Sequence, residues 1–206
     1  MTTPTVYTFD EPQLHVVVLG SLAPLGDEYN LTAADQPDGH IRGNNLTWEQ
    51  YDFLTSLDPT VHDRAFTLEE KALLLALARS GVVKLLTEND TLSGLDFVPV
   101  PHKKLSAVES LPNGYRFRVE GGDEFTLSEL GARFLQLADG TRQLTQIVDT
   151  TKLQLLSDEK SRAVVEEEVA EQGRALDAIL FEEAMAFVKA LRTSGAGTYE
   201  PVTDAK

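Results

Sequence analysis

The sequence predicts an α+β fold built as two modules in series with a long C-terminal helix, and three observations carry that reading. Residues 115–119 alternate, with Tyr115, Phe117 and Val119 set against Arg116 and Arg118. This is the period-two signature of a half-buried strand. Thr47 with Gln50, Thr67 with Glu70 and Thr126 with Glu129 have the spacing of capping boxes, in which a side chain at each end satisfies a backbone donor of the other. The C-terminal third repeats apolar residues at 169, 176, 180, 184, 187 and 191, steps of three, four or seven that mark one helical stripe.

In chain order, Met1 to Thr5 reads as a frayed polar start, and the β-branched run Leu14 to Leu19 as the best strand of the first half. Tyr29 to Thr32 and His40 to Arg42 are weaker strand candidates separated by the turn-rich Asp35-Gln36-Pro37-Asp38-Gly39. A helix follows Thr47 and stops at Asp58-Pro59, with Trp48 expected as a core anchor. The next runs from Leu68 to Ser80 and ends at Gly81. Leu73, Leu74, Leu75 and Leu77 crowd it with apolar surface, which implies burial on more than one side. Val82 to Leu86 reads as a wing strand. Thr87 to His102, with Asn89-Asp90, Ser93-Gly94, Pro99 and Pro101, is the expected linker.

Lys103 to Leu111 supplies the first strand of the second module, and Gly121-Gly122-Asp123 turns the chain from strand 114–119 into Glu124 to Leu127. The following helix puts Leu127, Leu130, Phe134 and Leu137 on one stripe and closes at Asp139-Gly140. From Ser157 to about Arg192 the apolar phase continues across Gly173, predicting one helix roughly 50 Å long; a break at Gly173 is the alternative. The domain reading is therefore 1–90 as an N-terminal α+β module, 103–195 as a second module with an extended C-terminal helix, and 196–206 as a polar tail. Leu46-Thr47-Trp48-Glu49 and Phe53 to Asp58 echo Phe125-Thr126-Leu127-Ser128 and Phe134 to Asp139. Either a duplication or shared helix grammar produces such an echo.

Composition excludes several classes of function. The 206 residues are 42% hydrophobic and 25% charged, with no cysteine and a net charge of −15. Residues 1–97 alone hold 15 acidic against 5 basic side chains. That charge argues against a nucleic-acid partner, which requires clustered Lys and Arg. Neither an apolar run long enough for a membrane span nor a secretory leader is visible, so membrane association is not expected and a cytoplasmic location is. His15, His40, His62 and His102 fall on separate predicted elements with no ligand spacing, so neither a metal nor a cofactor is expected. No serine elbow or phosphate loop frames a catalytic group, and the chain reads as no enzyme. Glu166-Glu167-Glu168 reads as a solvated helix face, and Arg116 and Arg118 as charges that keep a sheet soluble or meet a partner's carboxylates.

Gly114-Tyr-Arg-Phe-Arg-Val119, Phe125-Thr-Leu-Ser-Glu129, Phe134 to Gly140, Leu144-Thr-Gln-Ile-Val148 and a terminal helix around Phe181 to Arg192 together resemble the RiPP recognition element. This is the PqqD-like winged-helix module that holds the leader of a ribosomal precursor peptide for a modifying enzyme. The resemblance covers about half the chain. It implies a winged-helix-like module, a three-stranded antiparallel sheet plus three helices, preceded here by a second α+β module. The interval between its second and third helices is longer than in a minimal module.

The resemblance also implies a leader groove between strand Glu124, Phe125, Thr126, Leu127 and a helix face bearing Phe181, Met185 and Val188. The competing reading places that helix face in the core. In size and layout the chain is similar to the accessory proteins that accompany DUF692-type iron oxidases in methanobactin and 3-thiaglutamate biosynthesis. The implied partners are a precursor leader and a separate modifying enzyme. A winged-helix regulator, or a scaffold subunit of another enzyme complex, is the alternative.

Overall fold

A computed structural model describes residues 14–26, 28–34, 41–57, 65–86, 92–101 and 104–202. The expected frayed start, the turn 35–39, His40, His62, His102, Asn89-Asp90 and the Pro59 stop lie outside the described residues.

The β-branched run near the start forms β1 (His15–Val18). Its antiparallel partner is β5 (Val83–Leu86), in the register Val16 to Leu85 and Val18 to Val83. β5 is therefore no wing; it is half of a ribbon buried on both faces. Val17, Leu19 and Leu86 enter one apolar core, whereas Val16, Val18, Val83 and Leu85 enter another. A strand with an unbroken apolar run is suited to such a position, because both of its faces must be covered.

On one side of the ribbon, β2 (Ser21–Leu25), β3 (Glu28–Ala34) and β4 (Ile41–Leu46) form an antiparallel meander. Helices α1 (Trp48–Ser56) and α2 (Leu68–Arg79) complete that layer, each opened by the expected capping box. Leu74 and Leu77 are buried, and Leu73 and Leu75 pack partly against the same core. β2 was not anticipated; its Pro24 and short length gave little strand signal.

On the other side lie β7 (Leu105–Leu111), β8 (Gly114–Val119) and β9 (Glu124–Leu127), paired in that order. Four helices follow: α3 (Glu129–Leu137), α4 (Leu144–Ser157), α5 (Glu159–Gln172) and α6 (Leu176–Thr193). The helix α3 starts later than its sequence suggested. Leu127 stays on the strand and Ser128, not Thr126, is the cap, accepting a hydrogen bond from Gly131 N at 2.9 Å. The long helix expected from Ser157 to Arg192 is two segments, α5 and α6. Gly173 sits at φ 63°, a left-handed conformation that ends α5 and that only glycine adopts cheaply. The apolar stripe stayed in phase across the break, so periodicity alone did not reveal it.

The linker and the tail are also corrected. Within 87–102, Phe97–Pro101 forms β6, with Leu95, Phe97 and Val98 in the core. Within 196–206, Gly197–Pro201 forms β10, antiparallel to β6. Pro99 and Pro101 are compatible with this pairing because β6, which carries them, has β10 as its one strand neighbour among the described residues. Tyr199 is the anchor: its ring meets Phe97 edge-on at 5.5 Å and its hydroxyl donates to Val188 O at 2.9 Å. The same strand ties into the first half, since Gly20 N donates to Tyr199 O and Ala34 N donates to Glu200 Oε2 at 2.5 Å. The proposed boundary between the modules is thus crossed by a shared core and by β10.

Candidate functional site

The geometry of β7, β8 and β9 follows from the alternation in β8. Phe117 stacks on Phe125 at 5.7 Å, and Phe117 and Val119 pack toward the core. The charged side chains occupy the opposite face. Arg116 Nη1 lies 2.9 Å from Glu109 and Arg118 Nε donates to Glu124 at 3.0 Å, with Arg116 3.9 Å from the same carboxylate. The hydrogen bond from Arg118 holds the Glu124 carboxyl below its usual range, and the charges of Arg118 and Arg116 add to this. Both arginines are therefore committed within the sheet. Gly114, at φ 147°, begins β8 where a Cβ would meet Leu127 O at 2.0 Å, so the strands approach closely only because that residue has no side chain.

The two edges of this sheet differ. β7 carries a register shift between Ala107 and Glu109, the kind of bulge that blunts an edge against further pairing. β9 pairs regularly over its whole length and is the last strand of the sheet. Glu120 N donates to Lys104 O at 3.0 Å and Val119 N to Asp123 O at 3.3 Å. Residues of β8 therefore face β7 and β9 alternately. Carried across the ladder, this turns the backbone groups of Phe125 and Leu127 toward β8, and those of Glu124 and Thr126 outward. The side chains of Glu124 and Thr126 are exposed, and those of Phe125 and Leu127 are buried.

Across from β9 runs α6, tied to the start of α3 by Ser128 Oγ, which donates to Glu183 Oε2 at 2.5 Å. The helix face expected to line a groove is not on the surface. Met185 is 2% exposed and Val188 is fully buried. The physical reason is crowding: α3, α4, β9 and β10 all pack on α6, so its apolar surface is wider than a single stripe. Phe181 is half-buried, and its ring meets that of His15 at 5.6 Å. Of the seven expected residues, Glu124 and Thr126 present an accessible edge, Phe125, Leu127, Met185 and Val188 are core, and Phe181 lies between.

One feature of the first half was misjudged. Trp48 is 54% exposed and is no core anchor. It follows the cap Thr47 directly, in the first turn of α1, and forms a cluster with Tyr51 at 6.0 Å and Tyr29 at 5.3 Å, while Tyr29 and Tyr51 are 4.7 Å apart. The spacing Trp48-x-x-Tyr51 places two rings on one helix face; the third comes from β3 and needs the fold.

Among the described residues no group of three or more His, Cys, Asp or Glu side chains is placed to hold a metal ion, and no helix is long and apolar enough to cross a membrane. Glu166, Glu167 and Glu168 are exposed. No protein-family model matches the chain, and neither a curated protein nor a solved structure matches it.

Proposed function

We propose that this chain is a non-catalytic peptide-binding protein that holds the leader of a ribosomal precursor peptide for a separate modifying enzyme. The observation that carries the reading is the regular outer edge of β9, with outward backbone groups at Glu124 and Thr126 and α6 running beside it. An extended peptide adds to such an edge through main-chain hydrogen bonds and takes its specificity from flanking side chains. With Met185 and Val188 in the core, those flanking groups are the exposed side chains of Glu124 and Thr126 and the outer surface of α6. The sheet with α3, α4 and α6 is read as the winged-helix-like module, and the first half as the extra structure that meets the enzyme.

The cluster of exposed Trp48 with half-buried Tyr29 and Tyr51 supports that division, because clustered Trp and Tyr are the residues that dominate protein interfaces. A metal-dependent oxidase of the DUF692 type is the enzyme this reading favours. Expression with the neighbouring genes, followed by fluorescence polarisation with each labelled candidate precursor, tests it. Binding that survives removal of the core segment but not of the leader is the expected result. Trp48→Ala should weaken co-purification of the enzyme and leave leader affinity unchanged.

A further inference from the structure

The end of α6 lies on a cavity of about 490 Å³, within the size range of small-ligand sites. It is walled by the ends of β1 and α1, the start of β2, the last turn of α6 and β10. Val18, Leu22 and Leu57 give it an apolar side, and Ser21, Thr55 and Thr198 give it hydroxyls. Arg192 is its cation. Among the described residues that line it there is no Asp or Glu, although the chain carries 33 acidic side chains against 18 Lys and Arg.

Arg192 is incompletely satisfied. Its Nη2 donates to Leu54 O at 2.8 Å, which fastens α6 to α1 across 138 residues of sequence. Its Nη1 is buried and has no hydrogen-bond acceptor among the described residues. A buried donor without an acceptor is costly, and a cationic one more so. Burial accordingly weakens the hold of Arg192 on its proton, and an anion brought to the guanidinium would reverse that effect.

We infer that this cavity binds an organic carboxylate, with Arg192 pairing the carboxylate and the Val18, Leu22 and Leu57 side taking an apolar body. The carbonyl ends of two helices, α1 and α6, border the cavity. Their partial negative charge disfavours a doubly charged phosphate relative to a carboxylate monoanion. The carboxylate can belong to a free small acid or to the C-terminus of a peptide. The site does not rest on the β9 reading, since Glu183, bonded beside β9, and Arg192 are nine residues or about 14 Å apart along α6.

Isothermal titration of the full chain with N-acetyl-leucine, N-acetyl-leucine amide, inorganic phosphate and a longer soluble peptide ending in a free leucine carboxylate tests the inference. N-acetyl-leucine should bind at least tenfold more tightly than its amide or phosphate. Equal affinity of the longer peptide marks a peptide terminus as the source, and its exclusion marks a free acid; either supports the site. Arg192→Gln should abolish binding, with Arg192→Lys retaining part of it. Because Arg192 also joins two helices, Thr55→Glu is the second variant: it supplies an internal carboxylate at the cavity wall and should block N-acetyl-leucine while raising the melting temperature. No binding of either free acid, equal binding of acid and amide, preference for phosphate, or undiminished binding in a folded Thr55→Glu protein would overturn it.

Discussion

The β1–β5 ribbon and the β7–β8–β9 sheet are both short antiparallel systems, yet they do opposite work. The ribbon has a core on each face and separates the two halves of the molecule as a common wall. The sheet buries one face, lines the other with an ion ladder, and ends in a regular strand. The contrast is written in the periodicity: an unbroken Val16-Val17-Val18 run can only be satisfied by burial on both sides, whereas Tyr115 to Val119 alternates and needs only one. The first pattern builds stability, and the second ends in β9, which has one strand neighbour among the described residues and is the edge proposed above for recognition.

The largest test of that contrast is a charge in each system. Val17→Asp places a carboxylate where exposure is 1%, and should cost more than about 4 kcal/mol and abolish the single cooperative melt of both halves. Arg116→Ala, on the open face, should change stability by less than about 0.5 kcal/mol. Two independent transitions in urea, with only the first half destabilised by Val17→Asp, would break the shared-wall account. Next in size is Met185→Lys, which should lose about 3 kcal/mol in the same assay because the site is core.

A smaller effect sharpens the helical part of the comparison. Gly173→Ala has open space around its Cβ, so only the backbone decides the outcome. In the left-handed end of α5 it should cost about 1 kcal/mol. A continuous helix would instead gain a similar amount from the same change.

Acid should reveal the smallest differences. Glu124, Asp139, Asp158 and Glu182 are all held below the usual carboxylate range, chiefly by side-chain hydrogen bonds from Arg118, Thr141, Ser161 and Arg174 respectively. Their folded-state values lie below the unfolded ones. The stability they contribute is therefore complete above a pH of about 4 and disappears as pH falls through the folded values. A melting-temperature profile flat near neutrality and falling below about pH 4, with a shallower fall in Glu124→Gln, is the expected outcome.

Much of the fold was legible because its signals are local. Capping boxes at Thr47 and Thr67, the Gly-Gly turn and the alternation in β8 each act within a few residues. What escaped depends on distant partners. β6 and β10 read as a linker and a tail because Pro99, Pro101 and a polar terminus hide Phe97 and Tyr199, whose burial requires each other. Met185 and Val188 were placed beside a groove by resemblance and helical phase, neither of which counts how many elements surround a helix. Arg192 carried no signal of its own, since its environment is assembled from β1, β2, α1 and β10.

The central claim is that β9 accepts a peptide strand along its outer edge. Amide hydrogen exchange at single-residue resolution, with and without a bound leader peptide, tests it directly. The account predicts that the amides of Glu124 and Thr126 become strongly protected in the complex while those of Phe125 and Leu127, already bonded to β8, change little. Protection confined to another surface, with Glu124 and Thr126 exchanging as fast as in the free protein, would contradict it.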